Sequence, residues 1–123
     1  MKPNLSCIIL FVKDIEQLKA FYERHFNLAI AEEIQSQWVL LKAGNCEIGL
    51  HQIAAEYIDT ASAENETNCK LVFDIDSAIY PVHEQMKKNN IPVTDMKNWD
   101  NYPYLLFDGK DPEGNVFQIR QKK

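Results

Sequence analysis

The spacing of apolar and polar positions changes several times along the chain, and each change marks an element. Leu5-Ser-Cys-Ile-Ile-Leu-Phe-Val12 is an apolar run rich in β-branched and aromatic residues that stops at Lys13-Asp14, the pattern of a buried strand. Asp14 then offers an N-cap carboxylate and Gln17 stands where a capping box needs it. Ile15, Leu18, Phe21, Tyr22 and Phe26 recur at helical spacing, which predicts a helix over residues 15–26. Three shorter strand signals follow at residues 29–34, 38–42 and 47–53, the last two joined by a turn at Ala43-Gly44-Asn45. The order of elements is βαβββ.

Residues 54–69 are mostly small and polar, as a connecting segment is, and then the pattern restarts. Residues 70–76 read as a strand and Ser77 as a candidate N-cap. Ile79, Val82 and Met86 form a helical stripe that ends at Asn89-Asn90, with Pro81 in the first turn, where proline costs least. Strand signals at 91–94, 102–107 and 115–121, with a hairpin turn at Asp111-Pro-Glu-Gly114, complete a second βαβββ unit. A repeat of about 60 residues constrains architecture more than any single motif does. The expectation is one α+β domain over residues 1–123, with module one at 5–53, a linker at 54–69 and module two at 70–121.

Composition narrows the possibilities. With 123 residues, 46% of them hydrophobic and 25% charged, the chain is of one-domain size and apolar enough to fold. Thirteen basic against eighteen acidic side chains give a net charge of −5, so neither nucleic acid nor an acidic membrane surface is an expected partner. A cationic or neutral small molecule fits that balance better. Three cysteines, Cys7, Cys46 and Cys69, form no CxxC pair and are odd in number, which points to a reducing cytoplasm rather than a disulfide scaffold. No stretch approaches the ~20 apolar residues of a membrane span, and the leading apolar run is too short and lacks the cleavage site of a signal peptide.

Cys7-Ile-Ile-Leu-Phe-Val-Lys-Asp14, Phe21-Tyr22-Glu-Arg-His-Phe-Asn-Leu28 and Asp111-Pro-Glu-Gly-Asn115 followed by Phe117-Gln-Ile119 together resemble the vicinal oxygen chelate superfamily. This is the group of glyoxalase I, bleomycin resistance proteins, fosfomycin-modifying enzymes and extradiol dioxygenases. The resemblance implies that each βαβββ module curls into a half-barrel sheet, that two modules enclose a concave cleft, and that the protein is a homodimer. It also implies four side chains that in the family's enzymes hold a divalent metal. The matching positions here are Cys7, Gly49, Lys70 and Gln118, a set poor in usual ligands and with an ammonium where a cation should sit. No metal or other cofactor is therefore expected at the family position.

If those four positions face inward, residues two apart on each strand do so too. Ile9, Phe11, Glu47, His51, Val72, Asp74, Val116 and Arg120 then share the concave face, while Ile8, Leu10, Val12, Ile48, Leu50, Leu71, Phe73, Ile75, Phe117 and Ile119 pack beneath the helices. The first set is too polar for a closed core and suits a ligand-accepting surface. His51 reads as a base, a ligand or a structural residue. Glu47 lies about 13 Å from it along the strand, too far for both to chelate one ion. Lys70 and Asp74 read either as binding groups or as members of ion pairs with one another, Glu47 or Arg120. Trp38, Trp99, Tyr102 and Tyr104 are candidate stacking surfaces, Trp99 and Tyr102 lying in the polar stretch 97–103. The candidate ligand-binding set is thus Phe11, Trp38, Glu47, His51, Lys70, Asp74, Trp99, Tyr102, Tyr104, Gln118 and Arg120. Glu47 or Asp74 would meet the charge of a cationic planar ligand. The leading reading is a metal-free small-molecule binder similar to bleomycin resistance proteins. The alternatives are a lyase, isomerase or dioxygenase that recruits metal through displaced ligands, and a regulatory or dimeric scaffold module.

Overall fold

The computed structural model describes residues 1–2, 4–58 and 69–123. The first module begins with β1 (Cys7–Val12) and α1 (Ile15–Phe26), followed by β2 (Ala29–Ile34), β3 (Trp38–Ala43) and β4 (Cys46–Gln52). Helix α1 has the predicted bounds because both ends are specified locally. Asp14 Oδ1 accepts the Gln17 N–H at 3.1 Å, and Asn27 closes the helix at φ 55°. Ile15, Leu18, Phe21 and Tyr22 form its buried stripe. The sheet runs β1-β4-β3-β2, with β1 parallel to β4 and the other pairs antiparallel. Gly44, at φ 68°, occupies the first position of the β3–β4 turn, which that hairpin geometry reserves for glycine.

The second module holds β5 (Lys70–Asp74), α2 (Ile79–Lys88), β6 (Tyr104–Lys110) and β7 (Val116–Lys122), in the order β5-β7-β6 with β5 parallel to β7. It repeats the first module's parallel pair but not all of its strands. Residues 91–94, expected to form a strand, make only one isolated bridge, Val93 to Gly109, and a second, Lys97 to Leu106, lies beyond them. Pro92 has no N–H to offer a ladder, and the Thr94 hydroxyl takes the Asp108 N–H at 3.0 Å in place of a backbone carbonyl. Ser77 does not cap α2 either. The helix starts one residue later than a Ser77 cap requires, behind Ala78, which supplies no side-chain cap. Gln121 Oε1 on β7 accepts the Ile79 N–H at 2.8 Å instead. Past the other end of α2, Asn90 takes the left-handed conformation at φ 59°.

The turn before β7 is built around one buried carboxylate. Asp111 Oδ1 accepts the backbone N–H groups of Glu113 and Asn115, each at 2.9 Å, and Oδ2 accepts the Asn115 amide at 2.8 Å. Of the linker read at 54–69, Ala55–Tyr57 form a 3-10 turn, and residues 59–68 lie outside the described ones. The chain divides into two compact units, Met1–Ala63 and Glu64–Lys123. Within each, strand parity sorts the side chains as expected. Val12, Ile48 and Leu50 in the first unit and Leu71, Phe117 and Ile119 in the second are buried. Ile9, Phe11, His51, Lys70, Val72 and Asp74 remain exposed. No helix among the described residues is long and apolar enough to cross a membrane.

Candidate functional site

On the open face of the second module, the strand register brings charge and aromatic surface together. Antiparallel pairing sets Asp108 beside Gln118, and parallel pairing sets Asp74 beside Arg120. Lys70 Nζ lies 2.6 Å from Asp108 Oδ2, and the Gln118 amide donates to Asp108 Oδ1 at 2.8 Å, so both oxygens of that carboxylate are engaged. The Arg120 guanidinium binds both oxygens of Asp74, donates to the Tyr102 hydroxyl at 3.4 Å and lies 4.2 Å above the centre of the Tyr104 ring. The hydrogen bond from Arg120 holds the Asp74 carboxyl below its ordinary range, and the same contact raises the guanidinium's.

The rings of Trp99, Tyr102 and Tyr104 follow one another at centroid separations of 6.1 and 5.6 Å. The loop that carries the first two is tied down. Lys97 exchanges both backbone hydrogen bonds with Leu106, at 2.8 and 3.2 Å, and the Lys123 N–H and ammonium reach the carbonyls of Pro103 and Trp99 at 2.9 and 2.5 Å. Between this loop and the sheet lies an open cavity of about 290 Å³, lined by Lys70, Lys97, Trp99, Tyr102, Asp108 and Gln118, together with Thr94 and Leu106. Four of the expected residues, Lys70, Trp99, Tyr102 and Gln118, thus meet in one place. Asp74, Tyr104 and Arg120 adjoin it through the Tyr102 hydroxyl and ring.

Thr94, Lys97, Leu106 and Asp108 escaped the sequence reading. Asp108 shares strand parity with Tyr104, a signal that was available. Lys97 sits in an irregularly paired segment with no period to read. The expected pairings resolve as Asp74 with Arg120 and Lys70 with Asp108. Asp74 is therefore not the free acid anticipated for a cationic ligand.

Phe11, Trp38, Glu47 and His51 belong to the first module's sheet. His51 meets the rings of Phe11 and Trp38 edge-on, at 5.4 and 6.2 Å, and Trp38 Nε1 donates to Glu32 at 3.3 Å. The half-buried Glu47 stands in register between Cys7 and Lys42. The Trp38 indole covers Gly49, and a Cβ built on that glycine would lie 2.4 Å from the ring.

Residues 4–119 match the family model of the Glyoxalase/Bleomycin resistance protein/Dioxygenase superfamily. The chain belongs to that superfamily. Solved structures share its fold. The fosfomycin resistance protein FosX from Listeria monocytogenes is similar at TM-score 0.80 and 18% identity, covering 100% of this chain and 96% of its own. Lactoylglutathione lyase from Agrobacterium tumefaciens is similar at TM-score 0.72 and 18% identity, covering 98% and 94%. An integron cassette protein from the mobile metagenome of V. cholerae is similar at TM-score 0.74 and 21% identity, covering 100% and 98%. No curated protein matches the chain.

The residues at the superfamily's metal positions do not fit a divalent ion. Gly49 has no donor, and the space above it holds an indole. Lys70 brings an ammonium already paired with Asp108, and Gln118 brings a neutral amide, a weak ligand whose N–H is held by the same carboxylate. Cys7 alone offers a usual ligand atom. Elsewhere among the described residues no three His, Cys, Asp or Glu side chains converge on a point.

Proposed function

We propose that this protein binds a small planar molecule non-covalently on the open face of its second module, in the manner of a sequestering member of the superfamily and without the family's metal. The cavity beside Trp99 and Tyr102 carries the reading. Its aromatic wall is held by backbone hydrogen bonds, and its polar wall is an ion pair with every carboxylate oxygen satisfied. Such a site positions a ligand and contains no free carboxylate or imidazole to move a proton. Its size, near the lower end of the roughly 300–1,000 Å³ usual for ligand sites, suits one or two fused rings.

The experiment is calorimetric titration of metal-stripped protein with a panel of planar heterocycles and aromatic acids and bases. Binding that persists in EDTA and weakens at least fivefold in Trp99→Ala supports the proposal. Binding that appears only after Ni, Zn, Mn or Fe is added supports a metal-dependent enzyme instead. A homodimer in a reducing cytoplasm belongs to the same proposal. Exposed apolar side chains such as Phe11, 66% accessible, and Ile34, 57%, favour self-association, and among the described residues no two cysteines are joined in a disulfide. A monomer-sized particle by light scattering at every concentration would remove the dimer.

A further inference from the structure

We infer that the ligand of this cavity is an aromatic anion, a planar ring bearing a carboxylate or a group of like charge, with the Lys97 ammonium as its counter-ion. The inference rests on the binding site proposed above and names the chemistry it selects.

The argument is a count of charges at the cavity wall. Lys70 and Asp108 cancel at 2.6 Å, and the second oxygen of Asp108 accepts from the Gln118 amide at 2.8 Å, so no uncompensated acid is left at the wall for a cationic ligand. The adjoining guanidinium of Arg120 is balanced by Asp74. Lys97 is different. Its backbone is fixed at the cavity by two hydrogen bonds to Leu106, and among the described residues its ammonium has no acidic partner, neither Asp95 nor Asp100 of its own loop pairing with it. The lining therefore carries one uncompensated positive charge beside an aromatic wall formed by Trp99 and Tyr102. The Tyr102 hydroxyl receives a hydrogen bond from Arg120 at 3.4 Å, which holds that ring at the wall. A cation would meet the Lys97 ammonium with no uncompensated acid beside it. The chain's net charge of −5 points the other way, but that average is carried by side chains outside the cavity.

The test uses three probes built on one ring system: 2-naphthoate, 2-naphthamide and 2-naphthylmethylammonium, titrated by calorimetry at low and at 0.5 M salt. Naphthoate is expected to bind at least tenfold more tightly than the amide, and the ammonium more weakly still, with the difference shrinking at high salt. Lys97→Gln should remove the preference for naphthoate while leaving the amide's affinity within twofold. Lys97→Glu should bring the ammonium above naphthoate. Both variants alter an exposed side chain, and thermal melts identical to the parent's confirm their folding. Equal affinities for the three probes, or a preference for naphthoate that survives Lys97→Gln, overturn the anion assignment. If Trp99→Ala still weakens whichever probe binds, the binding site itself stands. No binding by any probe, or binding indifferent to Trp99→Ala, overturns both.

Discussion

At the scale of single residues, two glycines show how closely the sheets are packed. A Cβ at Gly49 would lie 2.4 Å from the Trp38 ring, and one at Gly109 would lie 2.3 Å from the ring of Phe117. The two clashes differ in what can yield. Trp38 is half-buried and presents the far edge of its indole, so it can swing outward, whereas Phe117 is fully buried. Gly49→Ala should cost about 1 kcal/mol and Gly109→Ala about 3 kcal/mol in urea unfolding, the range overpacking produces. In a Trp38→Ala background the cost of Gly49→Ala should largely vanish, and a double-mutant cycle measures that. His25 supplies a pH dependence. Burial beside Phe21, with a smaller contribution from the Arg24 charge, lowers the imidazole below its ordinary 6.5. A folded value below the unfolded one means stability that is complete above pH 6.5 and is lost as pH falls through the lowered value. Chemical denaturation between pH 7.5 and 5 should show that decline, and His25→Gln should flatten it.

At the scale of elements, one device recurs in both modules and was not legible beforehand. Gln52 at the end of β4 accepts the Ile15 N–H at 2.9 Å and donates to the Lys13 carbonyl at 2.7 Å, while Gln121 near the end of β7 accepts the Ile79 N–H at 2.8 Å. In each case the strand pairing parallel to the module's first strand reaches back to satisfy the start of its helix, where N–H groups lack intrahelical partners. Helix α1 also has Asp14, whereas Ala78 gives α2 no side-chain cap. Gln121→Ala should therefore destabilise by about 1–2 kcal/mol, and Gln52→Ala by less, about 1 kcal/mol, because Asp14 remains. Equal losses would mean that Asp14 contributes little. Ser77 was the natural candidate because it is local. Gln121 does the work from 42 positions away, and only the folded sheet brings it there.

At the scale of the whole molecule, the four metal positions predict a thermal behaviour. A divalent ion bound specifically at 100 times its Kd would stabilise the fold by about 2.7 kcal/mol, a rise of several degrees in Tm. With Cys7, Gly49, Lys70 and Gln118 in place, Ni, Zn, Mn and Fe should leave Tm within a degree of its value in EDTA. A rise that EDTA reverses would show that donors other than these four assemble a site.

Much of the architecture was written in the order of residues. The bounds of α1, the alternation of more and less buried side chains along β1, β5 and β7, and the turn at Asp111 all depend on steric and hydrogen-bonding preferences that act over a few positions. The candidate site was legible in part for the same reason. Parity alone aims Lys70, Gln118 and Arg120 at one face, and the polar surroundings of Trp99 and Tyr102 mark a loop. What the local pattern could not contain is who meets whom. That Asp108 rather than Asp74 neutralises Lys70 depends on the β6–β7 register. That residues 91–94 abandon a regular ladder, and that Lys97 has no acidic partner among the described residues, depend on how an irregular segment settles against β6. Periodicity is a property of neighbours along the chain, so the sequence by itself determined the elements and their faces. Charge compensation is a property of neighbours in space, so only the tertiary structure decided which charge stays free.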